Sequence, residues 1–288
     1  MPCSAVTLSL ATIAAVVSTA LLAIAFSTDN WVRIDVKRTR LAEKIRDENI
    51  TPEELQSNPI YYSRTEGLFR ICFPNDRPKG KAIQAQLYLS PTETYCMNID
   101  YYLSGDENST ADFTPDEHTK LYMGRGMIVL FILAFVFVFI AFWTGVAGCW
   151  RRSSGNITAT AILMLLTCLF SAGGMGLWHG VEYYETEKLT GSNYFKDWPQ
   201  GLKSSSVWSY DWSYVLAWIG VGWALIAAIL FSGAAVCLRG ENSFGGLENQ
   251  HLHYLMPVYP QKQPGYAYGY AYPTPYAYAQ STQYPYNY

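Results

Sequence analysis

Residues 126–150 read GMIVLFILAFVFVFIAFWTGVAGCW and carry no acidic or basic side chain. A hydrocarbon core about 30 Å thick is crossed by about 20 apolar residues of helix, so the stretch is long enough to span a bilayer. Working outward, three more stretches exclude charge over a similar length: 1–28, 153–181 and 212–238. The alternative for any one of them is a buried helix in a soluble core, but four such runs in 288 residues leave too little polar chain to surround them. The mean hydropathy of +0.03 averages these runs with a polar remainder. The expected fold is a membrane protein of mainly α class, with helices over about 5–27, 126–149, 156–180 and 213–238.

The first run ends in LLAIAF, whose Ala23-x-Ala25 pattern suits a signal peptidase. No basic residue precedes it and its apolar stretch exceeds a signal core, so it is read as a retained helix. Arg151, Arg152 and Arg239 flank helix ends read as inner; the basic residues of a loop as long as 28–123 do not count towards the positive-inside rule. Two sequons in that loop, at Asn49 and Asn108, are candidate N-glycosylation sites and favour an outer face for it. A third, at Asn156, would lie inside. The reading places the chain in the plasma membrane with both termini cytoplasmic and loops of about 28–123 and 181–212 outside.

The long loop alternates apolar and polar residues as half-buried strands do. Val32, Ile34 and Val36 alternate with Arg33, Asp35 and Lys37, immediately after Trp31. Phe69, Ile71 and Phe73 alternate similarly, as do Ile83, Ala85, Leu87 and Leu89, and then Tyr95, Met97, Ile99 and Tyr101. Four strands are expected, forming a small antiparallel sheet over the outer end of a helical bundle. Between the first two, TPEELQS offers Thr51 as N-cap, Pro52 at the first helical position and Glu54 as capping-box partner, so a short helix is expected there.

Of six cysteines, Cys72 and Cys96 are the two in the outer loops. The outside is oxidising, so they are expected to pair. Without nearby histidines they would make half a zinc site at best. The cystine gives the apolar Gly67-Leu68-Phe69 cluster a place to pack, under the sheet.

Trp31 after the first span, Gly67, Leu68, Phe69 and Cys72 in a Gly-Leu-aromatic-x-x-Cys arrangement, and a second cysteine at Cys96 resemble the signature of the claudin and peripheral myelin protein superfamily. Arg125 matches a basic residue that such proteins place at the outer end of the second span. Phe69 stands where the family usually has tryptophan. Residues 210–226, YDWSYVLAWIGVGWALI, resemble the start of the fourth helix in claudin-related proteins, stargazin-type auxiliary subunits among them. The resemblance covers residues 1 to about 240 and implies a four-transmembrane-helix bundle topped by a small extracellular antiparallel sheet.

The spans read as packing surfaces. Ala11, Ala15, Thr19 and Ala23 form a ladder of small residues, and Gly176 and Gly180 a GxxxG. Phe131, Phe135, Phe139 and Phe142 form a stripe for lipid or core, and Trp150 and Trp178 are placed as interfacial aromatics. Cys149 and Cys237 sit at inner span ends as palmitoylation candidates, the alternative being small apolar residues at helix ends; Cys168 is assigned to the core. Residues 241–288 are read as a disordered Tyr/Pro-rich cytoplasmic tail, with Tyr286 and Tyr288 as a candidate C-terminal ligand for a scaffold.

No nucleotide-binding glycine loop, HExxH or GxSxG occurs, and His251-x-His253 is too sparse for a metal, so no enzyme, metal or cofactor is expected. His179, near an outer span end, is the one candidate in the spans for the buried acids and bases of a transporter, too little for a proton or substrate path, and a net charge of −3 gives no nucleic-acid footprint. The resemblance implies a junctional adhesion and barrier protein, tight or septate. Its partners would be the lipid bilayer, neighbouring claudin-like chains in cis and trans, and a cytoplasmic scaffold. An auxiliary subunit bound to a channel, or a membrane-organising trafficking protein, are the alternatives.

Overall fold

The computed structural model describes residues 3–44, 50–101, 114–191 and 193–255, with side chains over 5–41, 50–101, 114–191 and 193–241. Asn49, Asn108, Tyr286 and Tyr288 lie outside the described residues, as does the tail from residue 256. The chain opens with α1 (Cys3–Ser27), β1 (Val32–Val36), α2 (Arg38–Lys44) and α3 (Pro52–Ser57). Next come β2 (Arg64–Glu66), β3 (Arg70–Phe73), α4 (Lys81–Gln84), β4 (Tyr88–Leu89) and β5 (Tyr95–Asn98). It closes with α5 (Pro115–Arg151), α6 (Ser154–Tyr183), α7 (Gln200–Ser205), β6 (Ser206–Tyr210) and α8 (Trp212–Leu255). Helices α1, α5, α6 and α8 are each long and apolar enough to cross a membrane.

Helix α5 starts well before residue 126. The Thr114 hydroxyl accepts a hydrogen bond from the Glu117 backbone N–H, the Glu117 carboxylate accepts one from the Thr114 N–H, and Pro115 occupies the first turn, where its missing donor costs nothing. The helix is therefore about 55 Å long, and its first turns stand beyond the hydrocarbon layer. At the other end, α8 runs on to Leu255, so the residues after 240 begin as helix.

The strands form one antiparallel sheet in the order β4-β5-β3-β2-β1-β6. In β1, Val32, Ile34 and Val36 are buried while Arg33 and Asp35 are exposed, as the alternation requires. Three of the four expected strands form: β1, β3 and β5. The fourth is mostly replaced: Lys81–Gln84 coils into α4, leaving only Tyr88 and Leu89 as strand. Lys, Ala and Gln favour helix, and the bonds from Gln84 N–H to Gly80 O and Leu87 N–H to Ile83 O satisfy the backbone locally. Two strands carry no alternating pattern of their own. β2 is three residues long, and β6 comes from the second outer loop, where it pairs with β1 along its whole length, from Val32 opposite Tyr210 to Val36 opposite Ser206. Helix α3 forms as expected, with Thr51 capping the Glu54 N–H.

The bundle is closed by small residues, at positions other than those the sequence suggested. On α1 the buried face runs Ala11, Ala14, Ser18, Leu22 and Ala25, a three-four spacing, while Ala23 is exposed. This face meets α8 at Gly220, where an added Cβ would fall 2.9 Å from Leu22 Cγ; Ser18 Oγ donates to the Gly220 carbonyl at 2.8 Å. Helices α5 and α6 pack as antiparallel neighbours. Gly148 lies against Ile157, Gly174 against Phe131 and Gly180 against Met123, and Thr144 and Thr160 share a hydrogen bond of 2.9 Å. Gly176 faces open space, so the GxxxG is not the packing motif. The phenylalanine stripe divides: Phe131 is buried and Phe135 packs on the core, whereas Phe139 and Phe142 are exposed.

Candidate functional site

The outer sheet is tied to the bundle at its base. Trp31 is fully buried; its indole Nε1 donates to the Ala25 carbonyl at 2.8 Å, and its ring packs between Phe131 and Trp178. Trp178 is thus an interior residue and not an interfacial one: it is 8% exposed and also touches Tyr210 and Tyr214. Two residues before Trp31, Asp29 receives Arg70 in a two-point contact, Nε to Oδ1 at 3.0 Å and NH2 to Oδ2 at 2.7 Å. Burial pushes the Asp29 carboxyl above its ordinary range in spite of Arg70. Burial also works against the Arg70 charge, but Asp29 outweighs it and Arg70 holds its proton more tightly than usual.

Gly67 is required by that contact. A Cβ there would sit 2.5 Å from the Asp29 Cα, a backbone atom that cannot turn aside. Leu68 beside it is buried, and the Phe69 ring packs edge-on against Phe26 at 5.0 Å, so an aromatic ring without an indole N–H leaves no donor to satisfy. Arg125 joins this cluster through Tyr101, which the alternation assigned to a strand and which lies just beyond the end of β5. Its Nε donates to the Tyr101 carbonyl at 2.7 Å, and the Tyr101 hydroxyl donates to the Leu68 carbonyl at 2.8 Å. Gly124 lets the Tyr101 ring lie on the helix backbone, where a Cβ would be 2.6 Å from Cε1. Burial raises the Tyr101 phenol far above its ordinary range, with Glu185 adding to the effect. Cys72 and Cys96 lie opposite each other on β3 and β5 and are disulfide-bonded, as expected.

Beneath the sheet lie two adjoining cavities of about 230 and 240 Å³. Both are lined by Glu66, Lys120, Glu185, Tyr194 and Trp208, which form the partition between them. Lys120 Nζ is 2.6 Å from Glu185 Oε1 and 5.4 Å from the centre of the Tyr194 ring, while the Tyr194 hydroxyl donates to Glu117 at 3.3 Å. Arg64 pairs with Glu66 at 2.6 Å. The Lys120 and Tyr194 contacts fasten the second outer loop to α5, and the Arg64 guanidinium, 5.6 Å from the centre of the Trp198 ring, fastens it to β2. At the edge of the sheet Tyr210 donates to Glu182 at 3.1 Å and stacks on Tyr214, whose hydroxyl meets His179 Nε2 at 3.3 Å. Burial and the Glu182 carboxylate push the Tyr210 phenol up to about 12.

At the opposite end of the helices Cys149 is an exposed free thiol, while Cys168, midway along α6, is a buried one. Cys237 is disulfide-bonded, so Cys149 is the acylation candidate that presents a thiol. Phe139, Phe142 and Trp143 leave an exposed aromatic band on α5 suited to lipid.

Comparison with known protein families matches residues 16–233 to the family described as PMP-22/EMP/MP20/Claudin tight junction. The chain belongs to the PMP-22/EMP/MP20/claudin family. The match takes in all six strands, most of the described bundle and each of the signature residues from Trp31 to Arg125. No curated protein matched the chain. In this claudin-family chain the dispersed signature residues form one connected base: Trp31 at the start of β1, Gly67 to Phe69 in the β2–β3 turn, and Arg125 reaching them through Tyr101, with the Asp29–Arg70 pair alongside. Asp29, Lys120, Glu185 and Tyr210 are contributors that sequence reasoning missed. Each is a single polar residue whose partner is distant in the chain, and no local spacing marks it.

Proposed function

We propose that this claudin-family protein is an adhesion and barrier component of cell–cell junctions, tight or septate. The observation that carries the reading is the pairing of β6 with β1, which joins both outer loops into a single disulfide-stapled surface. That surface leaves Leu89 and Val207 exposed at its two edge strands, where neighbouring copies in cis and trans would meet. The sequons at Asn49 and Asn108, in the same loop as the Cys72–Cys96 bond, favour an outer location for the sheet. On this reading the α5–α6 turn and both termini are cytoplasmic, Asn49 and Asn108 are glycan acceptors, Cys149 is an acylation site, and Tyr286 and Tyr288 are a ligand for a scaffold.

The test is the localisation of an internally tagged chain in a polarised epithelium, with tracer flux measured after its removal. Lateral junction staining and increased flux are expected. Diffuse surface staining with an intact barrier contradicts the junction role and turns the search to a channel partner that co-purifies in mild detergent.

A further inference from the structure

The turn between α5 and α6 lies at the end of the bundle opposite the sheet. Cys149, Trp150, Arg151 and Arg152 follow one another there and all are exposed, Trp150 at 88%. Neither arginine side chain makes a hydrogen bond or ion pair among the described residues. Arg152 also closes α5 in the left-handed conformation, φ 48 and ψ 40, where glycine is the usual residue and a Cβ is disfavoured. The chain thus carries an arginine where the backbone alone would favour glycine. An exposed tryptophan at a span end sits at headgroup level, which places the two guanidinium groups among lipid phosphates.

We propose that Arg151 and Arg152 form a docking surface for the phosphate groups of anionic phospholipids in the cytoplasm-facing leaflet, with Trp150 setting the depth of the turn. Planar guanidinium groups donate paired hydrogen bonds to phosphate oxygens, and that leaflet holds the anionic lipids. The inference rests on the sidedness proposed above and not on the junction role.

The full chain is reconstituted in nanodiscs of phosphatidylcholine and phosphatidylserine, and the lipid shell is measured with spin-labelled analogues of each. The wild type is expected to favour phosphatidylserine about fivefold, less at high salt. Arg151→Gln with Arg152→Gln brings the ratio close to one, and Arg152→Lys keeps most of it. Arg152→Gly lowers the preference while raising the melting temperature, because glycine relieves the left-handed position; a purely structural arginine would lower both or neither. An unchanged ratio in the double Gln variant overturns the proposal. So does a preference abolished by inorganic phosphate, which would mark a site for free anions. Since the assay involves no cell contact and both faces of the disc carry the same lipids, its failure leaves the junction reading untouched.

Discussion

The outer sheet and the membrane bundle are held together by opposite means. The sheet depends on specific long-range partners: the Cys72–Cys96 bond, the Arg70–Asp29 pair, and the Arg125–Tyr101–Leu68 relay. The bundle depends on close approach, with Gly220, Gly174 and Gly148 admitting a neighbouring side chain and Ser18 and Thr144 adding one hydrogen bond each. The difference follows from the solvent. Lipid gives apolar helices no reason to associate beyond dispersion and fit, so small residues decide the geometry. In water a sheet this small buries too little apolar surface and needs covalent and ionic fastening.

The largest effect should come from the staple. Cys72→Ser or Cys96→Ser should cost about 3.5 kcal/mol, the entropy of the loop they close. Surface delivery and melting temperature should fall alike in either single variant, with the double variant no worse; additive losses would mean that the two sulfurs act separately. Glycine substitutions come next and sharpen the comparison within each region. Gly67→Ala and Gly220→Ala should each cost roughly 1–3 kcal/mol, because each new methyl meets backbone or a packed leucine. Gly176→Ala should change the melting temperature little, within about 0.5 kcal/mol, since nothing lies near it.

The contrast also explains what the sequence reveals. Span positions are legible because lipid excludes charge over a fixed length, and β1 because one of its faces is buried. The signature residues from Trp31 to Cys96 mark the base of the sheet for the same reason that they can be recognised: each has a fixed packing role. The ladder Ala11-Ala15-Thr19-Ala23 misleads because many small residues fill α1 and only the partner helix selects the buried set. β6 is hidden because its hydrogen bonds come from β1, more than 170 residues earlier, and residues 206–210 show no regular burial pattern. The early start of α5 was open to reading, since Thr114, Pro115 and Glu117 spell a capping box that the charge-exclusion rule passes over.

Smaller effects are expected at the seam between the two regions. Lys120→Met and Glu185→Gln should each loosen the second outer loop, and a double-mutant cycle should give a coupling of about 1 kcal/mol, limited because both side chains are about a third exposed. Protease cleavage of residues 189–205 would report it. The smallest effect is pH-dependent. The Tyr210 phenol titrates near 12 in the fold, above the ordinary value of 10.0, so the folded form holds the proton that the unfolded chain releases. The stability it contributes is complete below pH 10 and is lost as the pH rises towards 12. Tyr210→Phe should flatten that part of the melting profile; an unchanged alkaline slope would exclude Tyr210 as its source.

If both outer loops form one surface outside the cell, cysteines placed in register across β1 and β6 will bond to each other there. Arg33 lies opposite Ser209 across β1 and β6. With Arg33→Cys and Ser209→Cys combined, intact cells should yield an intrachain disulfide, and a membrane-impermeant maleimide should label the pair only after reduction. Independent labelling of both cysteines without reduction would show that the loops are not paired, and contradict the account.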